Sequence, residues 1–320
     1  MGHVQLRVRA RTLIDAAREG LRFTGGTPAG DLDVTYDLTV RPPLTEPLGL
    51  TFPSAAGEPA SALELSRIAA PLPTILPSYN QIGFDSIHYL LGVVEGDASR
   101  AIVWGVGASP SESGDGSVVD PASSVRFPMV MRWDGGRLTI ANEQPFYIDF
   151  NGFQLPFERF RVSTRTDAAG SALESPALVA RAVCGSIDVY GAFLRRLGFC
   201  NPTSDTLLAF GAADMRVHAG GPLRAPKGVG TPRITLSPTE IRAELEGSTL
   251  RASEHNFGLL ALDADRRPVA LDYVRQTRTA ARADGTAERV TLTLAAPITS
   301  PVRVYLMVDA FAAARAELTP

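Results

Sequence analysis

The sequence predicts a mainly β protein, with an antiparallel β-rich N-terminal domain carrying one long amphipathic helix and then an immunoglobulin-like β-sandwich. Three observations lead there. Residues 146–157, F-Y-I-D-F-N-G-F-Q-L-P-F, alternate about an Asn-Gly dipeptide. Residues 176–197 place apolar side chains at helical spacing, and beyond a Pro- and Gly-rich stretch at 220–232 short strand-like runs recur between turn residues.

The hairpin is the most fully specified element. Asn151-Gly152 accepts positive φ at both centres of a type I′ turn, whose twist suits a two-residue connection. Phe150 then faces Phe153, Ile148 faces Leu155 and Phe146 faces Phe157, all on one side, because side chains alternate with a period of two. Tyr147, Asp149, Gln154 and Pro156 share the other side. Pro156 falls at a non-hydrogen-bonded position, so an edge or a bulge is expected there. Asp149 opposite Gln154, with Tyr147 on the same face, is the best-defined polar group in the chain, and these three are the candidate ligand-binding residues.

The composition, 320 residues with 45% hydrophobic and 20% charged, is that of a globular protein. Its net charge is −3, from 31 basic and 34 acidic residues without long runs, so nucleic acid is not expected as a partner. Lys227 is the only lysine, which leaves one candidate for Schiff-base chemistry. The start, M-G-H-V-Q-L-R-V-R-A-R, alternates like a strand and lacks the apolar core of a signal peptide. The expected setting is the cytoplasm, or the cell envelope or exterior if a signal has been removed. No run reaches the roughly 18 apolar residues of a transmembrane helix.

Residues 3–11 and 31–40 read as strands. The second has Leu32, Val34, Tyr36, Leu38 and Val40 on one face and Asp31, Asp33 and Asp37 on the other, a solvated face rather than a cation site. Residues 12–19 read as a short helix, and 60–69 as a helix-compatible island in proline-rich loop. Strands are expected at 87–94 and 100–106, then a long polar loop at 107–121 whose Glu112, Asp115 and Asp120 lack the ordered spacing of a calcium loop. A hairpin about Gly135-Gly136 sets Trp133 against Leu138 and Met131 against Ile140, and 159–166 extends the meander. Its aromatic residues, among them Phe127, Trp133, Phe157 and Phe160, serve either as plain core or as the lining of an apolar cavity.

Ser175-Pro176 has the form of a helix start and Gly198 of its stop, with Val179, Val183, Ile187, Tyr190, Leu194 and Leu197 on one stripe between them. An unbroken helix separates Cys184 from Cys200 by about 24 Å of rise, against a limit of ~7 Å between Cα atoms for a disulfide. Pairing therefore needs a break at Gly185-Ser186; otherwise both thiols are free. The expected organisation is a β-rich domain at 1–219 with its helix at 176–197, a linker at 220–232, and an immunoglobulin-like domain at 233–320 that lacks the cysteines and core tryptophan of true immunoglobulins. The fragment 229–320 is expected to fold alone.

Catalytic signatures are missing from the sequence: there is no G-x-S-x-G, H-E-x-x-H, Walker loop or G-x-G-x-x-G. His3, His88, His218 and His255 are scattered, and two cysteines without histidines at zinc spacing imply neither metal nor cofactor. The first functional expectation is a non-enzymatic binding or structural protein of a bacterial cell envelope. The second is a carrier of a small apolar molecule such as a lipid, using the aromatic sheet of residues 125–166. The third is a hydrolase whose site is assembled from distant residues.

Overall fold

The computed structural model of the chain describes residues 2–9, 33–40, 48–69, 88–111, 116–123, 125–134, 137–150, 153–166, 173–186, 191–192, 195–196, 200, 205–251, 254–279 and 288–320. Two compact units, 1–44 and 45–320, make up the chain. In the first, β1 (Gly2–Arg9) pairs antiparallel with β2 (Asp33–Val40), setting Val4 opposite Leu38, Leu6 opposite Tyr36 and Val8 opposite Val34. The shared period of two puts these apolar positions on one face of the ribbon, with Gln5, Arg7 and Arg9 opposite Asp37, Thr35 and Asp33 on the other. The helix expected at 12–19 lies outside the described residues.

The second unit opens with β3 (Ala62–Ala69), β4 (His88–Gly96), β5 (Arg100–Pro110), β6 (Ser117–Val119), β7 (Arg126–Asp134) and β8 (Arg137–Ala141). The hairpin β9 (Phe146–Phe150) and β10 (Phe153–Phe157) follows, then β11 (Arg159–Thr166), β12 (Leu173–Val183) and β13 (Thr206–Val217). β3 pairs with β4, β4 with β5, β5 with β7, β7 with β8, β8 with β11, β11 with β12, β12 with β13, and β13 returns to β3, always antiparallel. The ring is a closed barrel of eight strands, which leaves no free edge in its wall; β6 is added on β5 outside it.

Alternation along the strands sorts the barrel's two faces. Leu63 and Leu65 of β3, Tyr89 and Leu91 of β4, Phe127 and Met129 of β7, Leu138 and Ile140 of β8 and Phe160 and Val162 of β11 form one buried interior cluster. Gly105 faces the same way, and a Cβ there would strike the Phe127 ring, so the ring occupies space that only glycine leaves.

Several expectations change here. Residues 62–69 form β3 rather than a helix, since Leu63 and Leu65 point inward while Ala62 and Glu64 point outward. The stretch at 107–121 holds the end of β5 and all of β6, with Ser109 opposite Val118. The helix expected from 176 is contradicted over its first half, because Leu173–Val183 is a barrel strand. Its pairing with β11 shifts register between Ser163–Ala177 and Arg165–Glu174, so Ser175 and Pro176 fall in a bulge, a place where a strand tolerates proline. A 3-10 turn at Cys184–Ser186 ends the strand, and Cys184 is bonded to Cys200 with Cα atoms 6.3 Å apart. Both hairpin registers read from the sequence are present: Phe150 faces Phe153, Ile148 faces Leu155 and Phe146 faces Phe157, and Trp133 faces Leu138 and Met131 faces Ile140.

Residues 220–230 carry no strand, yet they are held. Leu223 exchanges backbone hydrogen bonds with Ala60 at 2.7 and 3.1 Å, and Thr249 N–H donates to the Gly228 carbonyl at 2.9 Å. Beyond them come β14 (Thr231–Leu236), β15 (Glu240–Glu246), β16 (Phe257–Asp263) and β17 (Pro268–Val269), then β18 (Tyr273–Thr279), β19 (Glu288–Leu294), β20 (Val302–Val308) and β21 (Phe311–Leu318). They make two four-stranded antiparallel sheets, ordered β14-β15-β19-β18 and β17-β16-β20-β21. Ile241 and Leu292 of the first sheet bury against Ala261 and Val304 of the second, and Leu245 against Phe257 and Leu306.

Candidate functional site

The barrel and the C-terminal sheets meet along a seam. Outward residues of β4 and β5, namely Leu90, Val94, Ile102 and Trp104, join Leu260, Leu262, Tyr305 and Met307 in one buried cluster. Two glycines permit the approach. A Cβ on Gly92 would collide with the Ala310 carbonyl, and one on Gly258 would lie 2.7 Å from the Trp104 ring.

Charged groups fasten both ends of this seam. Arg126 Nη2 and Nε donate to Asn256 Oδ1 at 2.9 and 3.2 Å and Nη1 to the Phe257 carbonyl at 2.5 Å, while Asn256 Nδ2 donates to the Asp120 carbonyl at 2.8 Å. Behind them Asp309 accepts from the Asn256 amide at 2.8 Å and contacts His255 Nδ1 at 2.7 Å. At the other end the buried Glu95 accepts from the Tyr305 hydroxyl and from Arg303 Nη1, the latter at 2.7 Å, and Arg303 Nε reaches Glu317 at 2.7 Å. Burial, and then the Glu95 carboxylate, push the Tyr305 hydroxyl above its ordinary pKa, so it stays a donor.

Beside the Arg126 end lies a cleft of about 320 Å³. Trp104, Arg126, Pro128 and Gln144 form its barrel wall; Leu260, Leu292 and Leu306 are among the apolar residues on its sheet side. Leu271, Tyr273 and Gln276, from the crossing between the two sheets and from β18, also line it. Its lining is mainly apolar, and it lies between the barrel and the C-terminal sheets. The chain matches no family model, no curated protein and no solved structure. The cleft offers apolar surface with Arg126, Gln144 and Gln276 as polar groups.

A second polar cluster sits on the barrel's outer wall. Glu64, only 1% exposed, lies 2.6 Å from His218 Nδ1, accepts from Arg216 Nε at 2.8 Å and from the Ser117 amide at 3.2 Å, and Ser117 Oγ lies 3.4 Å from His88 Nδ1. Burial by itself would raise the Glu64 pKa. Its bonds from His218, Arg216 and Ser117 outweigh that and hold it below the usual carboxylate value, so it pins β6 and β13 to β3 as an anion. Among the described residues, the one group of three potential metal ligands is Cys184, Cys200 and Asp205. Its sulfurs are joined to each other, and Arg195 clasps Asp205 through two bonds of 2.6 Å.

Of the candidates named from the sequence, Asp149 is opposite Gln154 and Tyr147 opposite Pro156 in the β9–β10 ladder, as expected. Their side chains lie outside what is described. His218 and His255 each find a carboxylate partner, Glu64 and Asp309, that is 154 and 54 residues distant. No local spacing announces such pairs. The residues of the seam cleft were likewise missed, because they come from seven separated stretches that only the packing of barrel on sheet brings together.

Proposed function

We propose that this chain is a non-enzymatic binding or structural protein, one that works through its surface. The observation that carries the reading is the seam: a barrel with large apolar side chains in its interior is locked by a common core and by charged bonds to a second module, leaving a recessed apolar cleft on the outside. Such a body presents rigid surfaces to a partner. The order β14-β15-β19-β18 and β17-β16-β20-β21 corresponds to A-B-E-D and C′-C-F-G of the immunoglobulin plan, which supports an immunoglobulin-like reading of residues 233–320 and a boundary at 220–232. The Cys184–Cys200 disulfide favours an oxidising compartment and so a cell-envelope or secreted setting. Tyr147, Asp149 and Gln154 remain the proposed ligand-orienting residues of the β9–β10 hairpin.

A second reading, a carrier of one apolar molecule, is favoured by a single observation. The Tyr89 hydroxyl is buried, and no hydrogen-bond partner for it is found among the described residues, although its ring packs edge-on to Phe127 in the barrel interior. A bound molecule with one acceptor would satisfy it. Organic extraction of the purified protein followed by mass spectrometry separates the two: a stoichiometric apolar compound overturns the binding-protein reading, and an empty extract supports it.

A further inference from the structure

Among the described residues β18 pairs with β19 alone, at the edge of its sheet, and it borders the seam cleft. Its pairing shifts register between Tyr273 and Arg275, which makes Val274 the extra residue of a bulge. Bulges re-aim side chains, and this one leaves Val274 72% exposed beside Tyr273 at 49%. Among the described residues only three large apolar side chains are exposed, Val118 and these two, so adjacent exposure beside an apolar recess is a concentrated feature. A molecule small enough to sit inside the cleft would leave Val274 uncovered; a polypeptide lying across the edge would cover both.

The charge of the edge says which polypeptide. The strand Y-V-R-Q-T-R-T carries Arg275 and Arg278 and no acidic residue. Two copies laid edge to edge would gather four arginines and no carboxylate from the two strands into one ladder, which is unfavourable, and the bulge further spoils a continuous ladder between copies. An acidic segment meets neither obstacle, because arginine forks onto carboxylates.

We propose that β18 and the adjoining cleft dock an acidic, extended segment of a partner protein, which inserts one large apolar side chain beside Leu271 and Tyr273 and sets its carboxylates against Arg275. This deepens the binding-protein reading and rests on it. The test selects a displayed library of random octapeptides against the full chain, then measures the enriched peptides by fluorescence anisotropy. The expected consensus is acidic with one large apolar residue. Binding should weaken at least tenfold when that residue is changed to alanine in the peptide, and equally with Ala270→Trp, which fills the cleft from an exposed position, or Arg275→Glu. No enrichment, a basic or purely apolar consensus, or affinity unchanged by Ala270→Trp and by the peptide's own alanine change would overturn the proposal. Self-association abolished by Val274→Asp would also overturn it, assigning the edge to a second copy. A bound apolar compound in the extract tests the parent reading independently, so the two failures are distinguishable.

Discussion

Gly92 of β4 stands directly against the backbone of Ala310, with no room between them for a methyl group. The barrel wall and the β20–β21 turn thus touch main chain to main chain, and the apolar cluster around them depends on that distance.

Gly92→Ala should therefore separate the two surfaces and lower stability by about 1–3 kcal/mol, the usual cost of overpacking. Chemical denaturation measures it. A midpoint equal to that of the wild type would mean that the seam yields without loss.

The fragment 229–320, expected from sequence to fold alone, exposes Leu260, Leu262, Tyr305 and Met307 once the barrel is removed. It should elute as aggregates or bind a hydrophobic dye strongly while the full chain does neither. A monomeric fragment with a cooperative thermal transition would show that the seam adds little to its core.

Glu64 has a folded-state pKa below its ordinary value, so its contribution to stability is complete above about pH 5 and is lost as pH falls through the folded value. Glu64→Gln should flatten that acid limb and cost about 1–3 kcal/mol at pH 7, the scale of hydrogen bonds to a charged group. An unchanged limb in the variant would assign the acid sensitivity elsewhere.

Reducing Cys184–Cys200, or Cys200→Ser, opens a loop of sequence separation 16 and should cost about 3 kcal/mol. Denaturation with and without a dithiol reductant checks this, and equal midpoints would show a bond without consequence for stability.

Asn151→Val puts a β-branched residue into a two-residue connection between Phe150 and Phe153. Hydrogen exchange in β9 and β10 should accelerate, since the type I′ turn that the Asn-Gly dipeptide leads one to expect resists such a residue. Unaltered protection there would sink the turn assignment.

The hairpins were legible in the sequence because their information is local: Asn-Gly or Gly-Gly at the turn and apolar alternation on either side settle the register within a dozen residues. The strand at 173–183 was not. Its run A-L-V-A-R-A-V fits either period, and Ser175-Pro176 has the form of a helix cap while serving in fact as a bulge. The disulfide was obscured by the same misreading, since the distance argument presupposed the helix. The partners of Glu64, Glu95 and Asp309 come from strands far apart in the chain, and neither residue type nor spacing marks them in advance.

Closure of the barrel also sets a timetable. Leu65 pairs with Met215, so β3 has to wait for a strand 150 residues further along before its second edge is satisfied. At ordinary rates of synthesis, about 5–20 residues per second, that wait is roughly 8–30 s on the ribosome. Until then any sheet begun by β3, β4 and β5 keeps the outer edge of β3 unpaired, with Leu63 and Leu91 on one face and Leu90 and Ile102 on the other. An agent that shields β3 until β13 has been made should therefore raise the yield of folded protein, and an unchanged yield would show that this open edge does not limit folding.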